Sequence, residues 1–169
     1  DGCTSASEIV GSLLAHTAVK HVLVDAALHL LPKVEGAYCF VMCDNDTIYA
    51  ARDPYGVRPL SLGRLERGWV IASETCALDI VGASYVRDIE PGEFVTINAS
   101  GVHSRHFAEP RHARCIFEHV YLARPDSYLN GHSVNSTRVG IGRRLAKEQA
   151  CERALVIPGP EAGSHAAVG

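Results

Sequence analysis

Three charged side chains, Arg52, Asp53 and Arg58, fall in the stretch Ala51-Arg52-Asp53-Pro54-Tyr55-Gly56-Val57-Arg58-Pro59-Leu60. An arginine close to a carboxylate can pair with it through two parallel hydrogen bonds, as a structural clip or as part of a binding site. Pro54 and Pro59 fix φ and remove backbone donors, so this stretch is neither helix interior nor central strand. Gly56 admits a positive φ. The segment reads as a stiff turn, and a local Arg–carboxylate pair would tie it down.

Cysteine and histidine supply the other reactive groups. The six cysteines, at 3, 39, 43, 76, 115 and 151, form no Cys-x-x-Cys, and their spacing is long and irregular. That pattern favours reduced thiols in a cytoplasmic protein over a disulfide framework. Cys39 and Cys43 share a face of an apolar strand and read as buried small hydrophobes. The nine histidines show no His-x-x-x-His spacing, which argues against a zinc enzyme. Arg138, Arg143, Arg144 and Lys147 read either as a phosphate patch or as a solvated helix face, with the second preferred.

Composition bounds the rest. The 169 residues are 47% hydrophobic, enough for a core, and carry a net charge of −3. No basic field is present to recruit nucleic acid. No apolar run approaches the roughly 18 residues of a membrane span. The start, Asp1-Gly2-Cys3-Thr4-Ser5, is not a signal peptide and reads as the interior of a longer protein.

The elements that must position these groups follow from periodicity. Ser7 to Leu31 is helical, with Ile9, Leu13, Leu14, Val24, Leu28 and Leu31 on one face, Ser5 or Ser7 as cap, and a weak stretch at His16 to His21. Ala37 to Cys43 is a continuous apolar run expected as a strand buried on both faces. It pairs with Thr47 to Ala51 across Asp44-Asn45-Asp46. Leu60 to Leu65 and Trp69 to Ser73 form a second hairpin. Glu74 to Val81 reads as a short helix capped by Ser73. Strands follow at Ser84 to Asp88, Glu93 to Asn98 and Val102 to Phe107. Cys115 to Leu122 alternates as a strand, Ala123 to Ser127 is a turn, Val134 to Gln149 is a basic helix, and Arg153 to Pro158 opens another strand. A helical start followed by antiparallel strands predicts an α+β fold.

Five segments together carry a resemblance: the Arg52–Pro59 loop, Val34-Glu35-Gly36-Ala37-Tyr38, Ala72-Ser73-Glu74-Thr75, Glu90-Pro91-Gly92-Glu93, and Cys115-Ile116-Phe117-Glu118 with Ala123-Arg124-Pro125-Asp126-Ser127. Taken together they resemble the amidophosphoribosyltransferase family. The resemblance implies a partial N-terminal-nucleophile (class II glutaminase) four-layer αββα sandwich over residues 1–108. Residues 109–169 would then be the junction and the start of an α/β phosphoribosyltransferase domain. It implies an enzyme that frees ammonia from glutamine with an N-terminal cysteine. The ammonia displaces pyrophosphate from phosphoribosyl pyrophosphate, giving 5-phosphoribosylamine, the first committed step of purine synthesis. The intact enzyme is expected to be a homo-oligomer with no nucleic-acid or membrane partner.

Several positions depart from, or complete, what the resemblance implies. Cys3 is internal and is not the nucleophile, so the chain is expected to be inactive alone. In Thr4-Ser5-Ala6-Ser7-Glu8, Ala6 stands where the family carries an Asp that pairs with the α-amino group of glutamine. Glu8 could substitute, but a first-turn carboxylate favoured by the helix dipole is the preferred reading. Arg52, Asp53 and Arg58 are implied to shape the active-site surroundings, and Glu74 to cap or brace the helix after it. Cys115 matches one of four ligands of a [4Fe-4S] cluster. Ala162 stands at the family's Ser/Thr position near the magnesium ion. Neither cofactor site is expected to be complete here. The alternatives are a diverged, noncatalytic homologue acting as an assembly module, and another class II amidotransferase.

Overall fold

A computed structural model describes residues 5–18, 22–152 and 155–169. They form two compact units, residues 1–58 with 89–114 and residues 59–88 with 115–169. Cys3 and Thr4 lie outside the described residues, as do positions 19–21 in the predicted helix break and the predicted strand start at Arg153.

The first unit opens with α1 (Ala6–Ala18) and α2 (Leu23–Leu30), then a 3₁₀ turn at Leu31–Lys33. Its sheet joins β1 (Cys39–Cys43), β2 (Ile48–Arg52), β6 (Glu93–Asn98) and β7 (Gly101–His106) in the order β1-β2-β6-β7, every pair antiparallel. Val10, Leu14, Ala27, Leu31, Tyr38, Tyr49, Ala51 and Phe94 make one buried cluster. Tyr49 stacks on Phe94 with ring centroids 5.9 Å apart.

Two expectations change here. The buried stripe of α1 is Val10 and Leu14, while Ile9 and Leu13 are 48% and 46% exposed. The helix is rotated by about one position, because an apolar residue at both i and i+1 leaves the stripe's centre undetermined from sequence. The apolar run at Cys39–Cys43 lies at a sheet edge rather than in a strand buried on both faces, with Val41 and Cys43 exposed. Cys43 is therefore not a buried hydrophobe. Cys39 is half-buried, and its thiol donates to Arg58 O at 3.7 Å. The interior strands β2 and β6 are the enclosed ones, β2 through Tyr49, Ala50, Ala51 and Arg52.

The second unit holds a sheet of β3 (Ser61–Leu65), β4 (Gly68–Ala72) and β5 (Ser84–Asp88), with β3 in the middle. Helix α3 (Thr75–Ile80) packs onto β3 at Gly63, where a Cβ would lie 2.8 Å from Leu78 Cδ2. A two-stranded hairpin, β8 (Tyr128–Leu129) and β9 (His132–Ser133), leads into α4 (Val134–Glu148), and α5 (Ala162–Val168) follows. Ser133 caps α4, its hydroxyl accepting from Ser136 N.

Glu74, not Ser73, occupies the N-cap position of α3. The predicted strand Cys115–Leu122 is not extended: residues 116–122 are helical and end in a π-helical turn, Glu118–Leu122, closed by Ala123 N donating to Glu118 O at 3.0 Å. Its alternation is misleading because the burial is inverted. Glu118 is inside, whereas Ile116, Phe117 and Tyr121 are more than half exposed. Leu155 to Pro158 forms no strand. No helix among the described residues is long and apolar enough to cross a membrane.

Candidate functional site

The proline-stiffened loop is built from the end of β2 outward. Arg52 is buried, and its guanidinium donates to three backbone carbonyls: Nε to Arg58 O (2.8 Å), Nη1 to Ile89 O (2.6 Å) and Nη2 to Gly56 O (3.1 Å). Asp53 is fully buried, its carboxylate accepting from the backbone N–H of Tyr55 (2.9 Å) and of Tyr38 (3.3 Å). Both charges of the predicted clip thus meet backbone dipoles, the guanidinium at carbonyl oxygens and the carboxylate at amide N–H groups. Gly92 N bonds both Arg52 O and Asp53 O at 3.1 Å, tying the loop to the Pro91-Gly92 turn. Gly56 has φ +57°, and a Cβ there would sit 2.6 Å from Pro91 Cγ. Arg58 is exposed, while its carbonyl receives Arg52 and Cys39. Beside the loop, Tyr38 donates its hydroxyl to Leu31 O. Burial, and then the charge of Asp53, push the Tyr38 phenol well above the usual tyrosine range. These groups are committed to holding backbone in place. The arrangement suits a scaffold rather than proton transfer.

At the start of α1, Ser5 and Glu8 form a reciprocal capping box: Glu8 N donates to Ser5 Oγ (3.2 Å) and Ser5 N to Glu8 Oε2 (3.1 Å). Ala6, the first helical residue, is exposed and offers only a methyl group. Glu8 is therefore engaged in the cap, as its first-turn position suggests.

In the second unit Glu74 is a highly connected carboxylate. Its Oε2 accepts from Arg124 N (2.8 Å), from Ser127 Oγ (2.7 Å) and from the Cys76 thiol (3.8 Å). Thr75 Oγ1 accepts from Tyr128 N at 2.8 Å. Glu74 thus braces the Ala123–Ser127 turn from the N-cap position of α3, where its carboxylate also meets the Cys76 thiol. Within the turn Arg124 and Asp126 pair through two 3.0 Å bonds. The pair holds the Asp126 carboxyl below, and the Arg124 guanidinium above, their usual ranges. Arg138 is buried and donates to His119 O (2.8 Å) and Ala123 O (2.7 Å). That removes it from the predicted solvated face, whereas Arg144 stays outside, paired with Glu148. Sequence periodicity missed Arg138, since a charged residue on a basic helix carries no sign of an inward-facing carbonyl pair.

Cys115 is half-buried with a free thiol, and Ala162 begins α5. Among the described residues no group of three or more His, Cys, Asp or Glu could hold a metal ion.

Residues 4–79 match a family model described as a glutamine amidotransferase domain. The similarity continues well past that boundary. An amidophosphoribosyltransferase of Mycobacterium leprae is 63% identical over 166 residues, 98% of this chain and 30% of its own length. That of Bacillus subtilis is 38% identical over 98% of this chain and 35% of its own length. The chain is thus similar to amidophosphoribosyltransferases over nearly its whole length. A solved B. subtilis glutamine phosphoribosylpyrophosphate amidotransferase, complexed with ADP and GMP, superposes with a TM-score of 0.93 at 37% identity. The match takes in 98% of this chain and 36% of that one. Mixed α/β architecture with antiparallel sheets is therefore the family's own. The chain spans about a third of the length of the amidophosphoribosyltransferases it matches.

Proposed function

We propose that residues 1–108 are the rear of a glutaminase domain, and residues 109–169 the junction and opening of a phosphoribosyltransferase domain, in a longer cytoplasmic enzyme of purine synthesis. The enzyme would release ammonia from glutamine. Ammonia nitrogen would then attack the anomeric carbon of phosphoribosyl pyrophosphate, expelling pyrophosphate and giving 5-phosphoribosylamine. The observation that carries this reading is 63% identity over 166 residues, because it embraces the glutaminase-type segment and everything after it alike.

On this reading Arg52 and Asp53 keep the loop rigid beside the glutaminase site, and Glu74 holds the junction turn. Cys115 contributes one thiolate of a cluster whose other ligands come from the rest of the protein. Ala6 is the weak point for glutamine, since no carboxylate at that position meets its ammonium group and Glu8 is held in the cap. Ala6 and Ala162 favour a second reading, a noncatalytic homologue used for assembly. A chimera decides between them, with this chain replacing the aligned segment of the Mycobacterium tuberculosis relative, which is also 63% identical. The catalytic reading expects 5-phosphoribosylamine from ammonia and from glutamine, with Ala6→Asp lowering the KM for glutamine by about tenfold or more. Ammonia-dependent synthesis with no use of glutamine, unchanged by Ala6→Asp, would leave the assembly reading standing.

A further inference from the structure

We infer that Asn130-Gly131 is a site of spontaneous covalent ageing, at which Asn130 converts to aspartate and isoaspartate. The sequence has four asparagines, at 45, 98, 130 and 135, and only Asn130 precedes a glycine. Strands β8 and β9 pair as Tyr128↔Ser133 and Leu129↔His132, so Asn130 and Gly131 alone make the turn. Both have positive φ, 53° and 78°, the conformation that a two-residue hairpin of the mirror-image type requires. Gly131 is exposed, and nothing lies within 4 Å of where its Cβ would be, so no neighbouring group crowds the turn on that side.

The chemistry is intramolecular and needs only water. The Gly131 nitrogen attacks Asn130 Cγ and loses its proton. The bond from Cγ to the amide nitrogen Nδ2 breaks and releases ammonia, closing a succinimide. Water opens the ring at either carbonyl. One opening gives aspartate with the normal backbone. The other gives isoaspartate, in which the former side-chain methylene joins the backbone. Ring closure requires the turn to leave its mirror-image conformation, and a hairpin of two residue pairs opens locally more easily than the larger sheets. Either product adds a negative charge. Isoaspartate also lengthens a two-residue turn by one backbone atom, and the strain falls on Ser133, the cap of α4, and on Tyr128, which is bonded to Thr75.

The test incubates the folded 169-residue protein at mildly alkaline pH beside a synthetic peptide spanning residues 126–135, followed by peptide mass mapping and isoaspartate detection. The expected result is conversion at Asn130 ahead of Asn45, Asn98 and Asn135, at no less than about a tenth of the peptide's rate. Isoaspartate is expected to speed amide exchange in the first turn of α4, whereas Asn130→Asp, which keeps the normal backbone, leaves it near wild type. Asn130 remaining intact in the folded protein while the peptide converts, or another asparagine converting first, would overturn the inference.

Discussion

Arg52 and Asp53 are neighbours of opposite charge, and both are anchored to backbone. The guanidinium is surrounded by three carbonyl oxygens and the carboxylate by amide N–H groups, so both charges serve to fix the loop. Arg52→Met leaves three carbonyls without a charged donor and is expected to cost about 3 kcal/mol or more, read from urea midpoints. Arg52→Lys keeps the charge but not the planar fork, and should recover less than half of that loss. A lysine variant as stable as wild type would show that charge alone suffices. Tyr38 gives the loop a pH signature. Its phenol holds the proton more tightly in the folded state than in the unfolded one. The contribution is therefore fully present below the ordinary tyrosine value near 10 and is lost as pH rises towards the folded value. Urea midpoints between about pH 8 and pH 11 should fall more steeply for wild type than for Tyr38→Phe. Parallel curves would contradict this.

At the scale of elements, the turn at 123–127 is held by Glu74, the residue that opens α3. The Arg124–Asp126 pair is exposed and adds little to stability, whereas Glu74 reaches the turn with two strong bonds. Glu74→Ala should accelerate hydrogen exchange at the Arg124 amide by about tenfold or more. Asp126→Ala should change it far less, and equal effects would refute the brace. The strands from Ile48 to His106 are legible in the sequence because alternation, turn residues and short connections agree there. The Arg52–Pro59 loop is legible as a rigid turn, but its bonding is not, since sequence records which charges are near and not which carbonyls surround them. Cys115–Leu122 misleads for a related reason. Buried Glu118 and the inward Arg138 reverse the expected polarity, and the tertiary bonds from Arg138 to His119 O and Ala123 O hold the helical turn in place. The Ser5–Glu8 box carries a sequence signature that shows a cap and a dipole effect but not their reciprocity.

For the whole molecule, the proposed function makes these residues a working part of a two-reaction enzyme, and the relatives they match are about three times their length. They supply a rigid loop at Arg52–Pro59 and a turn at 123–127 braced by Glu74. The most direct measurement follows pyrophosphate and glutamate together in the longer protein that carries this segment, given glutamine and phosphoribosyl pyrophosphate. The account predicts that both appear in near-equal amounts, that ammonia replaces glutamine for pyrophosphate release, and that Glu74→Ala lowers the yield of pyrophosphate per glutamate. No glutamate and no pyrophosphate from a folded protein, with either nitrogen source, would contradict it.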